Sequence, residues 1–266
     1  MSDDHRIAQA AQFLLEEHRT RKPFGPLPAP CAARTVDEAY AVQDAFHALM
    51  AATHGPVAGY KIALTTPVMQ QMVGFHEPVS GAILAKRIQQ SPCTIRSTDY
   101  RRLGVECEIA VRLAADLPAT PAPYSRDQIV AAIGTVMAAF ELIDDRNADY
   151  AQIAPQILSL IADNAWNGGI VLGPPATDWR TQDLAAVHGT MLINDAVVGE
   201  GYGRDVMGHP LEPLVWLANL LAERGKALHA GMTVITGSII TPKPVKAGDT
   251  ATIAIDGLGE AQVIVS

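Results

Sequence analysis

The chain has no block of Lys and Arg anywhere in its 266 residues. Acids outnumber bases 28 to 20, for a formal net charge of −8. A phosphate-binding face therefore has little to be built from, and nucleic acid is excluded in favour of small molecules as partners. Also missing is any apolar run long enough to cross a bilayer. The start, Met1-Ser-Asp-Asp-His-Arg6, is acidic where a secretory leader needs a basic stretch and an apolar core, so the expected location is the cytoplasm, away from membranes. Cysteine is scarce: Cys31, Cys93 and Cys107 are odd in number, far apart and without CxxC spacing. That excludes a disulfide framework or a structural zinc site and leaves them as packing residues. Common catalytic signatures are absent too. There is no Gly-x-Ser-x-Gly, no Gly-x-x-x-x-Gly-Lys-Ser/Thr and no His-Glu-x-x-His, and Gly201-Tyr-Gly203 lacks the third glycine of a dinucleotide loop.

What is present is a large apolar fraction, 48% of residues, enough for a substantial core in one main body with a small cap. Helical signals come first. Residues 4–18 carry Ile7, Phe13 and Leu14 at helical spacing, and a Pro-rich linker follows over 22–30. Thr35-Val-Asp-Glu38 has the form of a capping box, opening a helix to about residue 50 with Ala39, Val42, Phe46 and Met50 on one stripe. Residues 59–64 read as a short strand, and Thr66-Pro67 caps a helix that ends near Gly74. From about residue 82 strands dominate, over 104–113, 136–143, 169–172, 187–198, 232–236, 250–255 and 261–265. Asn194-Asp195 forms the turn of a hairpin, and one amphipathic helix, 211–223, is stopped by Gly225. The fold class is α+β, with a helical N-terminal cap region at 1–81 and a catalytic β domain at 82–266.

Chemistry concentrates in two strands. In Gly104-Val-Glu-Cys-Glu-Ile-Ala-Val-Arg-Leu113, strand alternation puts Glu106 and Glu108 on one face and Val105, Cys107 and Ile109 on the other. In Thr135-Val-Met-Ala-Ala-Phe-Glu-Leu-Ile-Asp-Asp-Arg146, Glu141 shares a face with Ile143, opposite Phe140 and Leu142. Two readings stand side by side. The carboxylates line a solvated face and meet Lys or Arg across the sheet, or they share a divalent cation. The second is favoured by the cost of burying neighbouring like charges and by the preference of hard Mg²⁺, Mn²⁺ or Ca²⁺ for carboxylate oxygens.

Gly59-Tyr-Lys61, Glu106-Cys-Glu108, Glu141-Leu-Ile-Asp-Asp145, Ile161-Ala-Asp-Asn-Ala165, Gly208-His-Pro210 with the helix after it, and Thr236-Gly-Ser238 together resemble the hydratase and decarboxylase branch of the fumarylacetoacetate hydrolase superfamily. The resemblance spans most of the chain. It implies a mixed β-sheet roll with a helical N-terminal part, a homo-oligomer, and Mg²⁺ or Mn²⁺ held by Glu106, Glu108 and Glu141. Lys61 is implied as the proton shuttle beside the metal, its ammonium form disfavoured by burial and by the cation. Thr236 and Ser238 are implied to meet the substrate carboxylate, with Asp163 and Asn164 as supporting residues behind the site. The implied activity is hydration of a 2-hydroxy-2,4-dienoate, a 2-oxo-enoate, to a 4-hydroxy-2-oxo acid in the meta-cleavage degradation of aromatic compounds. Decarboxylation of a 4-oxalocrotonate-type 2-oxo acid is the alternative. A carbon–carbon hydrolase of this superfamily is disfavoured because His47 is followed by Ala, Leu and Met50, with no His-x-x-Glu pair. A non-catalytic binding protein is disfavoured by the intact set of three glutamates and a lysine. His209, in a Gly-His-Pro loop, reads as structural, and His76 and Glu77 as a weak border of the substrate tail.

Overall fold

The computed structural model describes residues 3–121 and 123–266; Met1 and Ser2 of the acidic start lie outside the described residues. The helices are α1 (Asp3–Thr20), α2 (Val36–His54), α3 (Pro67–Val73), α4 (Arg126–Ala132), α5 (Ile157–Ala162) and α6 (Glu212–Glu223). The strands are β1 (Val57–Ala63), β2 (Val79–Leu84), β3 (Ile88–Gln90), β4 (Cys93–Ile95), β5 (Leu103–Leu113), β6 (Ile133–Asp144), β7 (Asn167–Leu172), β8 (His188–Ile193), β9 (Ala196–Tyr202), β10 (Thr233–Pro244), β11 (Thr250–Ile255) and β12 (Gly259–Val265). Four of these strands lie within the first hundred residues, more than the helical pattern there predicts.

Seven strands form a mixed sheet in the order β2-β1-β10-β5-β6-β7-β3, with β1 parallel to β10 and β3 parallel to β7. The sheet curls until β2 and β7, far apart in that order, come into contact. A second sheet, β4-β12-β11-β8-β9, packs against it through β6 and β10. Alternation sorts the two faces of β5 and β6. Val105, Cys107, Ile109, Phe140 and Leu142 are all fully buried in the main core, against Met191, Ile253 and Val263 of the second sheet. The inner face carries a small apolar cluster, Ile83, Ala110, Met137, Ala139, Ile170, Leu172 and Ile235, and beyond it the acidic residues. Helices α1, α2 and α5 pack separately around Tyr40, Phe46, Leu14 and Ile161, and the Pro-rich linker adds Phe24 and Leu27 to that cluster.

The caps follow from local chemistry. Thr66 accepts from the Met69 N–H, Pro67 opens α3, and Gly74 closes it in the left-handed conformation. At α2 only half of the predicted capping box forms. Thr35 Oγ1 accepts from the Glu38 N–H at 3.1 Å, but the Glu38 carboxylate takes the Arg34 N–H at 2.9 Å and pairs with Arg6 at 3.0 Å. A buried arginine outcompetes the reciprocal bond, because a charged partner makes the stronger contact.

Candidate metal centre

Antiparallel pairing of β5 with β6 sets Glu106 directly opposite Glu141, with Glu108 two residues along on the same face. One ligand oxygen from each of the three lies within 4.8 Å of the other two. Glu108 and Glu141 are buried, whereas Glu106 keeps some exposure and marks the open side. Strand β1 pairs with β10, which pairs with β5, and this brings Lys61 to the cluster from 45 residues upstream of Glu106. Its Nζ is 3.2 Å from Glu141 Oε2. Ile62, its neighbour, points into the main core and Tyr60 packs against it.

Backbone and side-chain donors hold the carboxylates in place. Gly237 N–H donates to Glu108 Oε2 at 2.7 Å, from a β10 backbone with φ of 115° that suits glycine. Asn167 Nδ2 donates to Glu141 Oε1 at 2.8 Å. That leaves Glu108 Oε1 and Glu141 Oε2 buried with no hydrogen bond, although the latter has the Lys61 ammonium beside it. A buried carboxylate oxygen without a partner costs on the order of 1–3 kcal/mol, more when charged, so the cluster is incomplete as a purely protein structure. Burial, and then the charge of Glu141, pushes Glu106 up to about 8. Burial with the charges of Glu141 and Glu106 raises Glu108 well above the usual carboxylate range. Three oxygen donors converging with two bare oxygens suit a hard divalent ion, which would replace those protons as countercharge.

Lys61 departs from one expectation. Burial does oppose its ammonium, but the charges of Glu141, Glu106 and Glu108 outweigh it and hold the group above its usual value. The sequence shows one lysine on a strand. It does not show that three carboxylates surround it closely enough to reverse the effect of desolvation.

Thr236 is fully buried and its hydroxyl donates to Ile109 O at 3.0 Å; Ser238 Oγ donates to Ile240 O at 2.6 Å and to Cys107 O at 3.3 Å. These donors are engaged by carbonyls, so the segment as it stands braces β5 and Glu108. Asp163 is fully buried between His18 Nε2 at 2.5 Å and Arg146 Nη2. Burial alone would raise its carboxyl, yet His18 and Arg146 hold it below the usual range. Asn164 Oδ1 accepts from His47 Nε2 at 2.8 Å and from Ala82 N–H at 2.7 Å, and its Nδ2 donates to Ala82 O at 2.9 Å. It sits across from Gly81, where an added Cβ would fall 2.7 Å from Asn164 O and 3.2 Å from Lys61 Cγ, so a side chain there would crowd the lysine. His209 Nδ1 accepts from Leu211 N–H at 3.1 Å and caps the turn before α6, while His76 and Glu77 are exposed.

Sequence reasoning missed Asn167, Arg146 and His18. Asn167 opens β7 beside two glycines, and only a register shift between Leu142 and Ile143 brings it beside Glu141. The three left-handed residues Asn164, Ala165 and Trp166, with φ of 60°, 45° and 61°, form the turn that delivers it. The unfavourable Ala165 conformation is of the kind that clusters at functional sites.

A family model described as fumarylacetoacetate (FAA) hydrolase C-terminal matches residues 60–266. A 2-keto-4-pentenoate hydratase of Paraburkholderia phymatum is 32% identical over 262 residues, covering 98% of each chain. A 2-hydroxyhexa-2,4-dienoate hydratase of Comamonas testosteroni is 31% identical, covering 99% of this chain and 98% of that one. Among solved structures, 4-oxalocrotonate decarboxylase from Pseudomonas putida G7, complexed with magnesium and adipate, superposes with a TM-score of 0.90 at 27% identity, covering 100% of this chain and 99% of that one.

Proposed function

The chain belongs to the fumarylacetoacetate hydrolase family, and from that premise we propose that it is a metal-dependent hydro-lyase that adds water to a 2-hydroxy-2,4-dienoate, giving a 4-hydroxy-2-oxo acid in aromatic catabolism. The observation that carries this reading is the convergence of Glu106, Glu108 and Glu141, with two buried oxygens lacking hydrogen bonds and Lys61 alongside. Hydratases similar over the full chain support the reaction class.

The three glutamates would hold a divalent ion, Mg²⁺ or Mn²⁺ by the all-oxygen donor set. When bound, such an ion supplies a Lewis acid for the negative charge that develops on the oxygens of a 2-oxo acid. Lys61 is the group placed to give and retrieve the proton that moves when the dienol becomes an unsaturated ketone, the form that water then attacks. The glutamate charges favour its ammonium form before an ion is bound, and a bound cation would weaken that preference and ease proton transfer. Asn167 and the Gly237 N–H fix the carboxylate rotamers, and the inner apolar cluster keeps bulk water from the closed side of the site. Ser238, half-buried, would donate its single hydroxyl proton to the substrate carboxylate by rotating away from both carbonyls it now faces, Ile240 O and Cys107 O; Thr236, fully buried, would brace the strand. The division into a cap region at 1–81, contributing Lys61, and a catalytic roll at 82–266 belongs to the same proposal. So do a cytoplasmic location and a homo-oligomer. No helix of the described residues is long and apolar enough to cross a membrane, and Val68 and Met72 on α3 present exposed apolar surface for self-association.

A second reading, decarboxylation of a 4-oxalocrotonate-type 2-oxo acid, is supported by the likeness to the decarboxylase structure, since both reactions need the same stabilised enolate. The test is to add Mg²⁺ to purified protein with 2-hydroxypenta-2,4-dienoate, follow loss of the dienol absorbance and identify the product. Metal-dependent formation of the 4-hydroxy-2-oxo acid is expected. Carbon dioxide release from 4-oxalocrotonate without turnover of the dienoate would transfer the assignment to the decarboxylase, and inertness toward both would end it.

A further inference from the structure

On the outer side of the β2 edge, helices α1 and α2 and the turn at 164–168 enclose a cavity of about 450 Å³ that the proposed reaction does not use. Gly81 and Ile83 of β2 turn inward, toward Lys61 and the inner apolar cluster, while Ala82 and Leu84 line the cavity. None of Glu106, Glu108, Glu141 or Lys61 is in its wall. One side is apolar, made by Leu15, Phe46, Met50, Leu84 and Tyr100.

The rest of the wall has more donors and positive charge than acceptors. Arg87 Nη1 donates to Gly168 O at 3.2 Å and its Nη2 lies 3.0 Å from His54 Nε2, and Arg21 Nη1 donates to Thr98 O. Among the described residues neither arginine is within ion-pair distance of a carboxylate. The two acids in the wall are already engaged: Asp144 accepts the N–H groups of Arg101, Arg102 and Arg146, and Asp99 pairs with Arg96 at 3.1 Å. Two further wall residues, Trp166 and Arg146, also carry a donor without a partner, Nε1 and Nε, but both atoms are closed off from solvent and hence from the open cavity. An adjoining cavity of about 430 Å³ shares Arg21, His54 and Arg87 and adds Lys86 and Arg96, so the approach is also positive.

We propose that this cavity is a second binding site, for a small organic carboxylate whose apolar body lies on Phe46, Met50 and Leu84 and whose carboxylate meets Arg87 and Arg21. Arg87, half-buried, and Arg21, exposed, have no carboxylate partner among the described residues and can make charged contacts to an anion, and the apolar wall selects an organic anion over an inorganic one. Asn167 links the two sites: it lines the cavity, and its Nδ2 positions Glu141. An occupant thus touches a residue that sets the metal face, and any coupling works in both directions.

The test uses the full chain with ¹⁵N-labelled tryptophan and hexanoate as probe, with and without Mg²⁺ plus oxalate to fill the glutamate face. Hexanoate is expected to shift the Trp166 indole resonance saturably in both conditions, the signal being assigned through Trp166→Phe. The Trp179 and Trp216 signals should stay in place. Arg87→Gln should weaken hexanoate about tenfold, the loss of one charged contact, and Arg87→Lys should recover part of it. Leu84→Trp, which fills the apolar wall, should abolish binding even if Arg87→Gln proves unstable. Absence of saturation, loss of binding when oxalate is present, or sulfate binding as tightly as hexanoate would each overturn the proposal.

Discussion

Lys61 shows how far a residue's behaviour depends on what surrounds it. On β1 it is one polar side chain between Tyr60 and Ile62, and in the fold it lies 3.2 Å from a buried carboxylate with two more nearby. If the proposed mechanism holds, replacing it with Met removes the proton carrier and also a positive charge next to the proposed ion site. Lys61→Met is therefore expected to lower kcat by about 10²–10⁴-fold while Mg²⁺ binds no more weakly, as read by turnover at saturating metal and by calorimetric titration. A lysine with no part in proton movement would leave kcat near the original. His47 makes a second residue-level case. Burial, opposed only partly by its bond to Asn164, takes it from 6.5 down to about 4. Between those values the unfolded chain binds a proton and the folded one does not, so the contribution is intact above pH 6.5 and is lost as pH falls toward 4. Between pH 7.5 and 5 this amounts to about 2 kcal/mol. Urea unfolding at both pH values should show that much less acid sensitivity in His47→Gln than in the parent chain. Equal sensitivity in the two would remove the assignment.

At the level of elements, local rules hold where a segment contains its own answer. The hairpin of β8 and β9 turns at Asn194-Asp195 with φ of 51° and 64°, as short polar residues at a tight turn predict. Asn194 is tied to Asp249 and to the Thr250 N–H, whereas Asp195 is exposed. Asp195→Gly is thus expected to stabilise the fold by about 0.5–1 kcal/mol, by relieving a left-handed non-glycine residue. The check is a higher urea midpoint with an unchanged slope; a lower midpoint would mean the aspartate makes a favourable contact after all. Alternation in β5 and β6 was equally legible, since side-chain direction in a strand is a property of neighbouring residues. Helix α4 and strands β2 to β4 were not. Each is short, and β2, buried at every position, lacks the alternation that marks a half-exposed strand.

For the whole molecule the curl of the seven-stranded sheet is decisive. It brings β1, β5, β6, β7 and β10 to one inner face, so that Lys61, Asn167 and Gly237 surround the three acids that the pairing of β5 with β6 has set together. If a divalent ion completes that cluster only in the folded state, it must stabilise the fold. At a hundred times its Kd, Mg²⁺ is worth about 2.7 kcal/mol, or roughly 5–10 °C in melting temperature for a chain of this size. A chelator should reverse the rise, and Glu108→Gln should largely abolish it. The same rise in that variant would place the ion elsewhere.

The sequence by itself determined that Glu106 and Glu108 share a face, that Glu141 sits on a comparable strand, and where several turns and caps fall, because each depends on residues only a few positions apart. It carried the family resemblance, and with it the α+β roll and the reaction class. Only the tertiary structure decided that Asn167 and the Gly237 N–H hold the carboxylates, that Lys61 lies beside Glu141, that Thr236 is buried and that Asp163 is locked between α1 and Arg146. These outcomes depend on distances between segments far apart in the chain, and on charges summed across strands whose register no local pattern encodes.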